Sequence, residues 1–173
     1  MDALVPYRTA MPTRDTSDPT PLPYLTSEQN STKGGIDMTV EVHLATKQMR
    51  DEGIAPVKLS SGSFAQMYWT LAQMLTHHTS NGCNMVPGDM FASGTVSGPE
   101  RENRGSLLEL TWDGSADDPK PGTDRTPLVM PTGEERKFLQ DHDEVIMTAY
   151  CQAEGRARIG FGECRGIVEP ANA

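Results

Sequence analysis

Positive charge, paired cysteines and long apolar runs are all scarce in this sequence. Acidic residues outnumber Lys and Arg by 24 to 15 in 173 residues, so the long-range field repels phosphate backbones and anionic membrane surfaces. No nucleic acid and no membrane is expected as a partner. Cys83, Cys151 and Cys164 are odd in number and lack CxxC spacing, so neither a disulfide framework nor a structural zinc site is suggested, and reduced, mostly buried thiols are expected. No apolar run approaches the roughly 18 residues that cross a bilayer. The opening MDALVPYRTAMPTRD has neither the charged head nor the apolar centre of a signal peptide, and a soluble cytoplasmic protein is expected. Leu, Ile, Val and Phe supply 30 of the 173 residues, below the one-fifth level where globularity becomes doubtful; ten Met make up part of the deficit. In a chain of one-domain length, this polarity hints that some apolar surface completing the fold is missing.

What is present divides at about residue 35. Residues 1–34, with DPTPLPYL and SEQNSTKGG, are expected to form an extended, Pro-rich N-terminal arm, because proline lacks the donor that helix interiors and central strands need. From Gly35, apolar Ile36, Met38, Val40, Val42 and Leu44 alternate with polar residues, the two-residue period of a half-buried strand. ATKQMRDEGIAP reads as a polar hairpin connection and PVKLS as a short returning strand. Phe64, Met67, Tyr68, Leu71, Met74, Leu75 and His78 recur at helical spacing, predicting one substantial helix from Ser63 to about His78. Ser63 and Gln66 have capping-box spacing at its start, and Asn81 or Gly82 suits a left-handed exit. His77 and His78 are adjacent, so on a helix they point about 100 degrees apart and cannot share one site.

Beyond Gly82 the chain reads as β-rich: DMFAS, SLLELTW, PLVM, EVIMTAYCQ and RIGFGECRGIV are short runs separated by Gly, Asp and Pro. DGSADDPKPGTDRTP reads as a solvated loop whose acids lack calcium-loop spacing. Glu109 stands inside the apolar run SLLEL. On pattern alone it is a solvated glutamate of an edge strand. Upstream, SGTVSGPE is either a turn-rich loop or a set of backbone donors and hydroxyls, at Ser93, Thr95 and Ser97, able to hold a carboxylate or an enolate.

MDALVPYRTA, DPTPLPYL, the long block from MYWTLAQMLTHHTSNGCN through PGDMFASGTVSGPE to SLLELTW, RKFLQDHDEVIMTAYCQ and RIGFGECRGIVEP together resemble the C-terminal portion of the fumarylacetoacetase family, within the fumarylacetoacetate hydrolase superfamily. The PGD turn and SGT string resemble the superfamily; THHTSNGCN and SGPE narrow the resemblance. It implies an α+β, mostly β fold, a mixed β-roll with one substantial helix, present here in part, with residues 35–173 as the C-terminal part of a catalytic domain. It implies hydrolysis of the carbon–carbon bond of 4-fumarylacetoacetate to fumarate and acetoacetate, the last step of tyrosine and phenylalanine degradation. It also implies a magnesium or calcium ion that polarises the diketone, a histidine base, and a homodimer of the complete enzyme. Among site residues it implies Glu109 as the glutamate that orients the base histidine, and Thr95 as a substrate contact.

The same resemblance implies that the carboxylate metal ligands, the base histidine and further substrate-binding residues lie upstream of Met1, so that this chain matches roughly the C-terminal two-fifths of the enzyme. His43, His77, His78 and His142 do not occupy the context of the base. An isolated chain without activity and without a metal site of its own is therefore expected. The alternative is a catalytically incompetent, truncated relative acting as an assembly or binding module.

Overall fold

A computed structural model describes residues 2–113 and 125–172. In chain order its elements are a 3₁₀ turn at Asp2–Tyr7, β1 (Arg8–Thr9), a 3₁₀ turn at Pro23–Leu25, α1 (Glu28–Lys33), β2 (Gly35–Ile36), β3 (Thr39–Ala45), α2 (Lys47–Asp51), β4 (Val57–Ser63), a 3₁₀ turn at Phe64–Gln66, α3 (Leu71–Thr79), a 3₁₀ turn at Arg101–Asn103, α4 (Leu107–Leu110), β5 (Leu128–Val129), β6 (Glu135–Arg136), β7 (Glu144–Cys151) and β8 (Ile159–Ile167). Among the described residues, eight strands and few, short helices make this the mostly β, mixed fold that the sequence implies. Two compact units interleave along the chain.

The first unit comprises Met1–Thr39, Ser63–Val96 and Tyr150–Ile159. The arm expected to run extended carries 3₁₀ turns, α1 and β1, which pairs antiparallel with β2 in the register Arg8↔Ile36 and Thr9↔Gly35. Proline allows this because its fixed φ suits the first turn of a helix, and Pro23 opens its 3₁₀ turn. Tyr7, Ile36 and Phe64 are buried. Gly34 closes α1, and a Cβ there would lie 2.3 Å from the Asn30 carbonyl oxygen and 2.7 Å from Thr70 Cγ2. No larger residue fits without moving backbone.

The single helix expected over 63–78 is broken. Phe64–Gln66 is one 3₁₀ turn capped by Ser63 Oγ, Met67 is extended, and α3 begins after Thr70. The capping box therefore lies at Thr70 and Gln73 rather than at Ser63 and Gln66. Thr70 Oγ1 accepts from Gln73 N at 3.0 Å while Gln73 Oε1 accepts from Thr70 N at 3.0 Å. An N-cap needs extended dihedrals, so a reciprocal cap at Thr70 halts any helix arriving from upstream. Arg14 holds the interrupted stretch, its guanidinium lying 4.0 Å from the Tyr68 ring centre and 4.3 Å from that of Trp69. Beyond α3, Gly82 takes the left-handed conformation, φ 82°.

The second unit comprises Val40–Gly62, Ser97–Ala149 and Gly160–Ala173. Its strands form most of a four-stranded sheet ordered β4-β3-β7-β8, and β5 pairs antiparallel with β6, Leu128 opposite Arg136. Leu44, Met49 and Met130 are its apolar centre, packed by Ile54, Val57, Leu59, Leu128 and Val145. The 45–56 segment is more than a hairpin connection. It folds as α2, with Thr46 Oγ1 capping Met49 N at 3.1 Å and Met49 fully buried. DMFAS forms no strand, and SLLELTW folds into the helical turn α4. PLVM, EVIMTAYCQ and RIGFGECRGIV do supply β5, β7 and β8. The loop DGSADDPKPGTDRTP lies largely outside the described residues, at 114–124. Among the described residues no helix is long and apolar enough to cross a membrane.

A second ledge of this unit is polar. Arg136 and Asp143 are buried and bonded bidentately, Nε to Oδ2 at 2.8 Å and Nη2 to Oδ1 at 3.0 Å. Arg136 Nη2 also reaches Glu134 Oε1 at 3.0 Å, and Glu134 Oε2 accepts from the hydroxyls of Thr132, at 2.8 Å, and Thr46. The Thr46 bond, followed by those from Thr132 and Arg136, holds the Glu134 carboxyl below its usual range despite opposing desolvation.

Candidate active site

Glu109 is the third residue of α4, and its neighbours explain why SLLEL coils instead of extending. Ser106 is the N-cap, with extended dihedrals, and its Oγ accepts from Glu109 N at 3.2 Å. The same hydroxyl donates to Glu109 Oε2 at 2.8 Å. Ser-x-x-Glu is a capping-box spacing, so the signal for a helical turn stood in the sequence. Read over five residues, alternation imitated it in the wrong period. At the far end of the turn three arginines bind the terminal carbonyls: Arg125 Nη1 to Leu108 O at 2.6 Å, Arg104 Nη1 to Glu109 O at 3.0 Å, and Arg101 Nη2 to Leu110 O at 3.1 Å. Cations at exposed helical carbonyls satisfy the acceptors left open there. A helix this short has little stability of its own; its two ends are tied from outside.

Ser97 completes the cluster. Its Oγ donates to Glu109 Oε2 at 2.9 Å and accepts from Gly105 N at 3.0 Å, while Gly98 N bonds Asn103 O at 2.9 Å to close the loop between them. The sequence left SGTVSGPE as either a turn-rich loop or a set of donors and hydroxyls, Ser97 among them, able to hold a carboxylate or enolate; in the structure the Ser97 hydroxyl donates to Glu109. The roles of Ser97, Ser106, Arg101, Arg104 and Arg125 carry no local periodic signal, apart from the Ser106 cap.

Thr95 lies in the first unit, in an exposed stretch without regular structure. Gly94 before it has φ 75°, a conformation natural to glycine, which turns the chain and presents Thr95 outward. No hydrogen bond engages its hydroxyl among the described residues. Thr95 and Glu109 thus belong to different units, each side chain placed by its own local framework.

The histidines are dispersed. The His77 and His78 rings lie 6.2 Å apart; His78 packs edge-to-face on Phe91 at 5.4 Å, and His77 Nδ1 lies 3.5 Å from Tyr24 Oη. His142 has φ 69° and its carbonyl accepts from Arg50 Nη2 at 2.7 Å. His43 lines an apolar groove of about 400 Å³ in the second unit with Leu59, Ser106, Leu107, Leu110 and Phe138. Glu109 does not line it. A groove of about 410 Å³ in the first unit, between Arg14, Tyr24, Tyr68 and Trp69, includes neither Thr95 nor Glu109. Among the described residues no group of three or more His, Cys, Asp or Glu side chains is arranged to hold a metal ion.

Residues 11–169 match the family model described as Fumarylacetoacetate (FAA) hydrolase C-terminal. The chain is 46% identical to the fumarylacetoacetase of Homo sapiens, 45% to that of Bos taurus and 44% to that of Oryza sativa subsp. japonica, in each case over 99% of its own length. It spans 36%, 36% and 35% of those proteins.

Proposed function

Because the chain belongs to the fumarylacetoacetate (FAA) hydrolase family, matched by its C-terminal model, we propose that it supplies the Glu109 and Thr95 portion of a fumarylacetoacetase site. In the reaction, oxygen from water joins the fumaryl carbonyl carbon, the bond from that carbon to the neighbouring methylene breaks, and the departing carbanion takes a proton to become acetoacetate. The observation that carries this reading is the state of the Glu109 carboxylate. One oxygen is held by two hydroxyls, and the other, Oε1, has no partner among the described residues. A carboxylate has about four lone-pair sites, so Oε1 is free to accept an N–H from a histidine base, orient its ring and favour its protonated form. In this reading the substrate is met by the Thr95 hydroxyl, which is exposed.

The family's divalent ion, magnesium or calcium, does not fit the described residues of this chain. Hard cations need several converging oxygens, and the Glu109 oxygen that is held is held by hydroxyls. In this reading the metal ligands and the base histidine come from the part of the family's chain that this one does not span, and the assembled enzyme is a cytoplasmic homodimer. A second reading, an assembly module without turnover, is favoured by a different observation: Phe138, Leu139 and Met147 stand 54%, 44% and 45% exposed around the apolar groove of the second unit, as surfaces awaiting a partner do.

Complementation separates the two. Residues 1–173, co-expressed with the portion of a fumarylacetoacetase that they do not span, are expected to form a complex with metal-dependent loss of fumarylacetoacetate. Residues 1–173 alone are expected to show none. A folded complex without turnover overturns the hydrolase reading in favour of the assembly module.

A further inference from the structure

Of the three hydroxyls in the SGTVS string, Thr95 and Ser97 are treated in opposite ways by the structure. Thr95 is exposed and engages no hydrogen bond among the described residues, whereas Ser97 donates its proton to Glu109 Oε2 and accepts from Gly105 N. A hydroxyl has one proton to give. With that proton on Glu109, Ser97 has no donor left for a substrate oxygen.

We propose that Ser97 is a positioning residue for Glu109: together with Ser106 it pins one carboxylate oxygen and thereby presents the other to an incoming donor. Both hydroxyls converge on Oε2, at 2.9 and 2.8 Å. Two donors on one oxygen fix the rotation of the carboxylate as well as its place. The main chain beneath is fixed separately, by the Ser106 cap and by the arginines on the carbonyls of residues 108–110. Ser97 arrives from outside the turn, 12 residues upstream, and besides aiming the carboxylate its hydroxyl accepts from Gly105 N next to the cap. A glutamate side chain otherwise samples several rotamers, and a reactive geometry off by an ångström forfeits much of its rate. The catalytic sense of this role rests on the reading of Glu109 as partner of a histidine base; the geometric sense does not.

The test uses residues 1–173 carrying ¹³C-labelled glutamate, with the Glu109 resonances assigned through Glu109→Gln. Three-bond couplings along the Glu109 side chain are expected to report a single rotamer in the native chain, to average in Ser97→Ala, and to return in Ser97→Thr, which restores the hydroxyl. Averaged couplings in the native chain, or unchanged couplings in a folded Ser97→Ala, overturn the assignment. Should Ser97→Ala lose the turn, Ser97→Thr still decides, since averaging there in a folded chain has the same adverse meaning. In the complemented enzyme Ser97→Ala is expected to lower kcat about tenfold, the scale of one lost hydrogen bond, with KM unmoved. A raised KM at constant kcat would instead place Ser97 on the substrate and overturn the role. If the native complex has no turnover while the couplings still respond to Ser97, the hydrolase reading fails and the positioning stands.

Discussion

Glu134 and Glu109, both in the second unit, are held by hydroxyls in different ways. Glu134 has both oxygens occupied, by Thr46, Thr132 and the Arg136 guanidinium, itself locked to the fully buried Asp143. Glu109 has two serine hydroxyls on one oxygen, while the nearby arginines pass over its carboxylate to bind backbone carbonyls. The first arrangement gives both oxygens partners and makes a joint. The second leaves Oε1 without a partner among the described residues. Polar groups in a fold serve structure when satisfied and chemistry when one valence stays open.

The largest expected effect falls on the joint. Asp143→Ala leaves the Arg136 guanidinium buried without its bidentate partner and is expected to cost about 3–5 kcal/mol in urea unfolding. A loss comparable to a surface substitution would erase the contrast between the two sites. Glu109→Gln should do the reverse. In the complemented enzyme it is expected to lower turnover at least about 100-fold, because the amide cannot favour a protonated histidine. The melting curve of the chain should barely move.

Thr46→Val sharpens the comparison through pH. It removes the leading cause of the lowered Glu134 value along with the cap of α2, for an expected loss of about 1–2 kcal/mol. A carboxyl held below its ordinary 4.5 contributes stability that is complete above about pH 4.5 and is lost as pH falls through the lowered folded value. The native chain should therefore weaken on acidification below pH 4.5, and Thr46→Val should show a shallower slope over the same range, measured by urea midpoints. Smallest of all, Thr95→Val should raise KM about fivefold in the complemented enzyme, near 1 kcal/mol. An unchanged KM would remove Thr95 from the substrate.

Legibility in the sequence followed the range of the interactions. The alternation over 36–44 is a repeating signal, and it appears as β3, preceded by the two-residue β2. EVIMTAYCQ and RIGFGECRGIV, short runs bounded by Gly, Asp and Pro, became β7 and β8. Where two short signals competed, periodicity misled. Helical spacing ran straight through Thr70, although Thr-x-x-Gln announced a new start. Alternation in SLLEL concealed Ser-x-x-Glu. The polar run containing α2 hid Met49, a single buried anchor that no period marks.

By itself the sequence determined the mostly β character, the family to which the chain belongs, and which residue types are available for chemistry. Those follow from composition, from local period and from long runs of identity. Tertiary structure alone decided what each polar group faces. Thr46 meets Glu134 across 88 residues and Ser97 meets Glu109 across 12. A hydrogen bond depends on distance and angle in space, so whether a carboxylate becomes a joint or keeps an oxygen free is settled by the path of the chain between its partners.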